Sequence, residues 1–147
     1  MKFPARLIMP LSTLFLLTNI SIAHADDITD QVNAYRTAKS TFDSAMSVYN
    51  SSKNPRMAAY KDAMQAREDA AKALQSARKI ILDSFKSALE KANGDFATAR
   101  SAAKTSSDKQ IANATRKAAI AAASALRDAA LSQLPELGPE PTKPVKK

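Results

Sequence analysis

The feature that most constrains this chain is the helical spacing of its larger apolar residues. Near the start of the pattern they recur every seven positions, at Ile28, Tyr35, Phe42 and Tyr49. Smaller apolar residues fill the intermediate positions of the same face, as in an amphipathic helix with coiled-coil-like packing. The pattern predicts a first helix over about residues 28–52.

A second helix is predicted over residues 55–104. The residue before a proline is driven out of the helical region, and proline itself is favoured at the first helical position, so a stop before Pro55 and a restart at Pro55 are expected. Asn93, Gly94 and Asp95 supply a possible stop and a new start. The apolar face stays in phase across Gly94, which favours a continuous helix over one that is broken there.

A third helix and a tail complete the folded region. The polar cluster at residues 105–108 breaks the pattern, and Ser107 and Gln110 have the spacing of a capping box before helical periodicity resumes. This predicts a third helix over 108–134, which ends at Pro135. The proline- and lysine-rich tail, residues 135–147, cannot form a core and is predicted to be extended and polyproline-like, or disordered.

The first 25 residues resemble an export signal. Lys2 and Arg6 give a positive start, residues 7–22 are mostly apolar, and the stretch ends in the small-x-small sequence at Ala23 and Ala25. The apolar run is shorter than the ~20 residues that a spanning helix needs. Residues 1–25 are therefore predicted to be a signal peptide cleaved after Ala25, with a periplasmic or extracellular product.

The predicted fold class is all-α. Residues 26–134 are expected to form an alanine-rich antiparallel helical hairpin or three-helix bundle. The chain has no cysteine, so helix packing rather than disulfides must supply its stability. Most of its aromatic residues are followed three positions later by alanine, which places a large side chain beside a small one on a helix face. The candidate packing or interface residues are Tyr35, Phe42, Tyr60, Leu74, Ile81, Phe85 and Phe96.

Catalytic chemistry is not expected. Cleavage after Ala25 would remove His24, the only histidine, and would leave neither imidazole nor thiol for a metal site or an activated nucleophile. The two glycines are too isolated to form a phosphate-binding loop. The sequence thus predicts a protein that is not an enzyme and has no cofactor, metal site or catalytic residue.

The chain is basic, with a formal net charge of +8. The second helix, with ten basic and six acidic residues, contributes +4 of this charge, and five of its residues are candidates for contact with an anionic partner: Arg67, Lys72, Arg78, Lys79 and Lys86. Acidic residues are interleaved with them, which is typical of a solvated helix face. Nucleic acid is not expected as the partner, because no nucleic-acid-reading motif is present and export removes the obvious target.

Two functional hypotheses follow. The first is an exported, non-enzymatic helical interaction or structural protein of the cell envelope or extracellular space, which self-associates or binds a protein partner. The alternative is a membrane-active basic helical protein, or one that binds an anionic polymer. Salt discriminates between them, because a charge-driven complex weakens as ionic strength rises whereas an apolar interface does not.

Overall fold

Three α-helices make up most of the chain that the structure describes. The computed structural model describes residues 22–52 and 57–145, in which the elements are α1 (Ile22–Ser51), α2 (Met57–Ala102) and α3 (Ser106–Ser132). No strand occurs in these two ranges, and the helices pack on one another, which confirms the all-α class. Most of the predicted signal peptide, residues 1–21, lies outside the described residues, and the predicted cleavage point after Ala25 falls within the first turns of α1.

The long α2 helix is the element on which both other helices pack. Its 46 residues span about 69 Å at 1.5 Å per residue. It continues without a break through Gly94, where an added Cβ would have no neighbour within 4 Å. The helix persists because its packing face is in phase on both sides of the glycine, with Ala92 buried before it and Phe96 half-buried after it.

The other two helices cover different halves of α2. Tyr35 of α1 packs with Leu74 and Ala77, whereas Arg127 of α3 stacks over Phe85, farther along α2. Both helices are antiparallel to α2, and they overlap only near its middle. There Val32 of α1, Ile81 of α2 and Ala130 of α3 form one cluster, here called the junction.

Two arms extend from the junction. The proximal arm consists of α1 and the N-terminal half of α2, and the distal arm consists of α3 and the C-terminal half of α2. Seven of the twelve buried hydrophobic residues in the described ranges are alanines, so the helix backbones approach closely but bury little apolar area. The largest fully buried side chains are Tyr35 and Phe42 in the proximal arm and Ile81 at the junction.

The α3 helix begins with a capping box, although not at the predicted residues. Thr105 is the N-cap, and its hydroxyl accepts a hydrogen bond from the Asp108 backbone N–H at 3.1 Å. The Asp108 carboxylate in turn accepts from the Thr105 N–H at 3.0 Å. These hydrogen bonds lower the pKa of Asp108 below its usual value. The predicted pair, Ser107 and Gln110, is wrong because the cap lies two residues earlier.

The tail after α3, for which the sequence predicts an extended polyproline-like or a disordered segment, lies against the proximal arm and has no helix or strand over residues 135–145. The Tyr35 hydroxyl donates to the Pro135 carbonyl, and the Tyr49 hydroxyl donates to the Thr142 carbonyl. Between them, Gly138 faces the Phe42 ring. Composition alone did not reveal that the tyrosines of α1 supply donors for the tail backbone.

Candidate interaction surfaces

An open apolar groove runs along the distal arm between α2 and α3, and Ala25, Ile28 and Thr29 in the first turns of α1 line part of it. Its volume is about 1220 Å³, and it extends from the junction towards the α2–α3 turn. The lining combines large side chains with alanines from both helices, among them Phe85, Phe96, Ala112, Ala123 and Leu126. Small residues along a helix groove allow another helix to approach closely, as in ridges-into-grooves packing.

Two large aliphatic side chains in this groove are exposed to solvent. Ile111 is 51% exposed and Leu126 is 61% exposed, and both lie on α3. The distal arm buries only alanines of α3, at Ala112, Ala123 and Ala130, whereas Ile111 and Leu126 of the same helix remain exposed. Contiguous exposed apolar surface on a soluble domain is typical of an interaction site.

Two arginines of α3 close over aromatic rings of α2 in the same groove. The Arg127 guanidinium lies 4.4 Å from the centroid of Phe85, and that of Arg116 lies 4.6 Å from the centroid of Phe96. Cation–π contacts of this kind fix the arginines on the groove wall. The Nε atom of Arg116 is buried and has no hydrogen-bond acceptor among the described residues. A partner that brought an acceptor would relieve this cost.

The corresponding region of the proximal arm is covered by the tail. Leu137 packs on the cluster formed by Tyr35, Leu74 and Ala77, and Pro141 is buried. Burial of its phenol raises the pKa of Tyr35, and the nearby cations Lys39 and Arg78 oppose this shift only in part. The hydroxyl that holds the tail is thus kept protonated, as a hydrogen-bond donor must be.

The structure separates the candidate packing residues into two groups. Tyr35, Phe42, Leu74 and Ile81 are buried in the proximal arm or at the junction. Phe85 and Phe96 are half-buried and line the distal groove, while half-buried Tyr60 lies 6.4 Å from Tyr49, centroid to centroid. The sequence did not single out Ile111, Leu126, Arg116 or Arg127 as site residues.

The five basic candidates on α2 do not form a free cationic surface. Lys72 pairs with Glu68 at 2.8 Å, and Lys79 pairs with Asp83 at 2.8 Å. Lys86 lies 3.9 Å from Glu90, and Arg67 lies 3.7 Å from Glu140 of the tail. The hydrogen bonds that Lys72 and Lys79 donate to these carboxylates raise the pKa of both lysines. This local neutralisation favours a solvated helix face over an anion-binding one.

Arg78 differs from the other four because it is exposed and lies within 4 Å of no acidic group in the described ranges. A single such arginine is a weak attractor for a polyanion. No group of acidic, histidine or cysteine side chains in the described part of the chain could hold a metal ion. None of the helices there combines the length and the apolar character needed to cross a membrane.

Comparison with protein-family models, with curated proteins and with solved structures found no match.

Proposed function

We propose that this protein is an exported, non-enzymatic helical interaction protein that self-associates through the open groove of its distal arm. The observation that carries the proposal is the exposure of Ile111 and Leu126 in the apolar groove of the distal arm. Helices that pack largely through alanine bury little apolar surface, so a further layer from a second copy would stabilise the arm.

The distal groove is suited to pairing with itself. In a two-fold symmetric dimer the same patch must supply both protruding and receiving surfaces. The distal groove has both, because Ile111 and Leu126 protrude while alanines such as Ala88 and Ala119 leave space. Pairing of two such arms gives a four-helix bundle, in which side chains of facing helices interlock.

The size of the arm agrees with a stable dimer. The 27 residues of α3 are about 40 Å long, and two adjacent helices are roughly 20 Å wide. A face of these dimensions is about 800 Å² per partner, which is the standard size for a specific protein–protein interface. The face is therefore large enough for a dimer without a contribution from the proximal arm.

Light scattering after size-exclusion chromatography tests this proposal on residues 26–147, at low and at high salt. We expect a dimer that persists at high salt, because the interface is apolar. Leu126→Asp places a carboxylate in the interface of each copy, and we expect it to weaken the dimer about 100-fold. Circular dichroism of the variant should be unchanged, because Leu126 is exposed in the single copy.

Val48→Asp is the matched control. Val48 is also 61% exposed, but it lies on α1, away from the groove, and its substitution should leave the dimer intact. A monomer at all concentrations would refute the proposal, and so would equal behaviour of the two Asp variants. An oligomer that dissociates at high salt would instead support the anionic-partner alternative.

A further inference from the structure

The tail and α1 match each other in length and register. From Tyr35 to Tyr49 the helix advances fourteen residues, about 21 Å at 1.5 Å per residue. From Pro135 to Thr142, the carbonyls that these tyrosines bind, the tail advances seven residues, about 22 Å at the 3.1 Å rise of a polyproline helix. Each tail residue thus covers the same length as two residues of α1, so the two segments stay in register from Tyr35 to Tyr49.

The contacts between α1 and the tail involve the main chain of the tail: its carbonyl groups accept hydrogen bonds, and its backbone lies close to an aromatic ring. The aromatic face of α1, defined here as Tyr35, Phe42 and Tyr49, donates two hydrogen bonds to main-chain carbonyls. Gly138 lies close to Phe42: a Cβ there would be 3.4 Å from the ring, already in van der Waals contact, so a larger side chain would have to push the ring or the tail aside. Aromatic side chains and hydrogen-bond donors to main-chain carbonyls are also the elements by which proteins bind extended proline-rich peptides.

Side chains of the tail add specificity to this docking. Pro141 is buried, and Glu140 reaches Arg67 of α2 at 3.7 Å. Leu137 packs beside Tyr35 and Leu74. The tail therefore resembles a bound peptide ligand with an apolar residue, an acid and a proline in fixed order, joined to the described helices at the end of α3.

We propose that the aromatic face of α1 is a binding site for an extended proline-rich segment, and that it accepts the tail of a second copy in trans. No helix follows the tail within the described residues, so the tail can leave the site without moving any of the three described helices. A second tail would make the same contacts, and exchange loses only the advantage of the covalent tether. This site lies on the proximal arm and is independent of the distal groove.

The test uses a fluorescein-labelled peptide with the sequence of residues 134–147, titrated with the full chain and followed by anisotropy. In the unaltered chain the tethered tail competes at an effective concentration in the millimolar range, so binding should be weak. Gly138→Val places a branched side chain against Phe42 and should displace the tethered tail. We expect this variant to bind the peptide at least tenfold more tightly than the unaltered chain.

Removal of the tyrosine hydroxyls tests whether the peptide is bound through these hydrogen bonds or merely adheres to the uncovered apolar face. Adding Tyr35→Phe or Tyr49→Phe to Gly138→Val deletes one hydrogen bond to the peptide and should weaken binding about fivefold for each. A peptide of the same composition in scrambled order should bind poorly. Leu126→Asp, which alters the distal groove, should not change peptide binding, so failure of this proposal is distinguishable from failure of the dimer proposal.

Pro141→Asp is a second variant that should displace the tail, because it replaces a buried tail residue with a carboxylate. Circular dichroism of both tail variants shows whether the helices persist. The proposal is overturned if neither tail variant binds the peptide, or if binding does not depend on the two hydroxyls. It is equally overturned if both tail variants unfold, because the tail would then be an inseparable part of the core rather than a ligand.

Discussion

The two arms are built from similar alanine-rich helices, yet they are completed differently. The proximal arm has a third layer, the extended tail, and it fully buries Tyr35 and Phe42. The distal arm has two layers and leaves Ile111 and Leu126 in solvent. The difference shows that two thin helices can be completed by a segment with no regular hydrogen-bonding ladder, provided that side chains bind its carbonyls. We infer that the tail of the same chain covers the apolar face of the proximal arm, and that a second copy covers that of the distal arm.

The largest effect is expected at the junction, which both arms share. Ile81 of α2 is 1% exposed and packs with Val32 of α1 and Ala130 of α3, so it joins the three helices. Ile81→Asp buries a carboxylate with no partner, and we expect a loss of more than about 4 kcal/mol and of cooperative thermal melting by circular dichroism. Arg78→Ala, on the exposed side of α2, is the control and should melt within a few degrees of the unaltered protein.

A melting temperature of Ile81→Asp close to that of the unaltered protein would show that the packing of both arms does not depend on this residue.

A matched pair of phenylalanine truncations compares the arms directly. Phe42 is 1% exposed in the proximal arm, and Phe96 is half-buried in the distal arm. Phe42→Ala should cost about 3–5 kcal/mol in urea unfolding, and Phe96→Ala about half as much. The measurement is made on Leu126→Asp protein, so that a dimer does not add to the stability of the distal arm. Equal losses would show that the arms are equally well packed.

The smallest effect concerns the hydroxyl that attaches the tail. Tyr35→Phe removes its hydrogen bond to Pro135 and should cost about 1 kcal/mol at neutral pH. Because burial raises the pKa of Tyr35 above 10.0, the folded state holds the phenolic proton more tightly than the unfolded state does. The associated stability is complete below the unfolded pKa and is lost as pH rises towards the folded pKa.

Urea unfolding at about pH 9 and about pH 11 checks this dependence. The unaltered protein should lose more stability between these two values than Tyr35→Phe does, since the variant has no phenol at that position to ionise. If both proteins lose the same amount, other groups account for the alkaline effect, and the proton of Tyr35 does not stabilise the docked tail.

Helical periodicity was sufficient to predict the three helices. Observed bounds such as Met57–Ala102 lie within a few residues of the expected 55–104, because apolar spacing and the break at Pro55 are local properties of the sequence. Continuity through Gly94 followed from the phase of the apolar face. The cap of α3 was placed wrongly because several Ser and Thr residues precede the helix, and only the geometry selects Thr105.

The two surfaces were much harder to predict. The heptad at Tyr35, Phe42 and Tyr49 predicted packing against another helix, and Tyr35 does pack on Leu74 and Ala77 of α2. It did not predict that the tail would also bind this face, because a tyrosine hydroxyl can bind any carbonyl within reach. Ile111 and Leu126 belong to a regular helical face, and their exposure depends on the absence of a layer above α3 within the described residues. Both properties depend on where distant segments lie, which local periodicity does not encode.

The order of the segments along the chain has a consequence for synthesis. Helices α1 and α2 precede residues 135–145, so the growing chain presents a proximal arm without its cover until those residues are made. A product that stopped just after α3 would retain α1, α2 and α3 but would lack the segment that covers Tyr35 and Phe42. We expect proteases to cleave such a product faster than the unaltered protein.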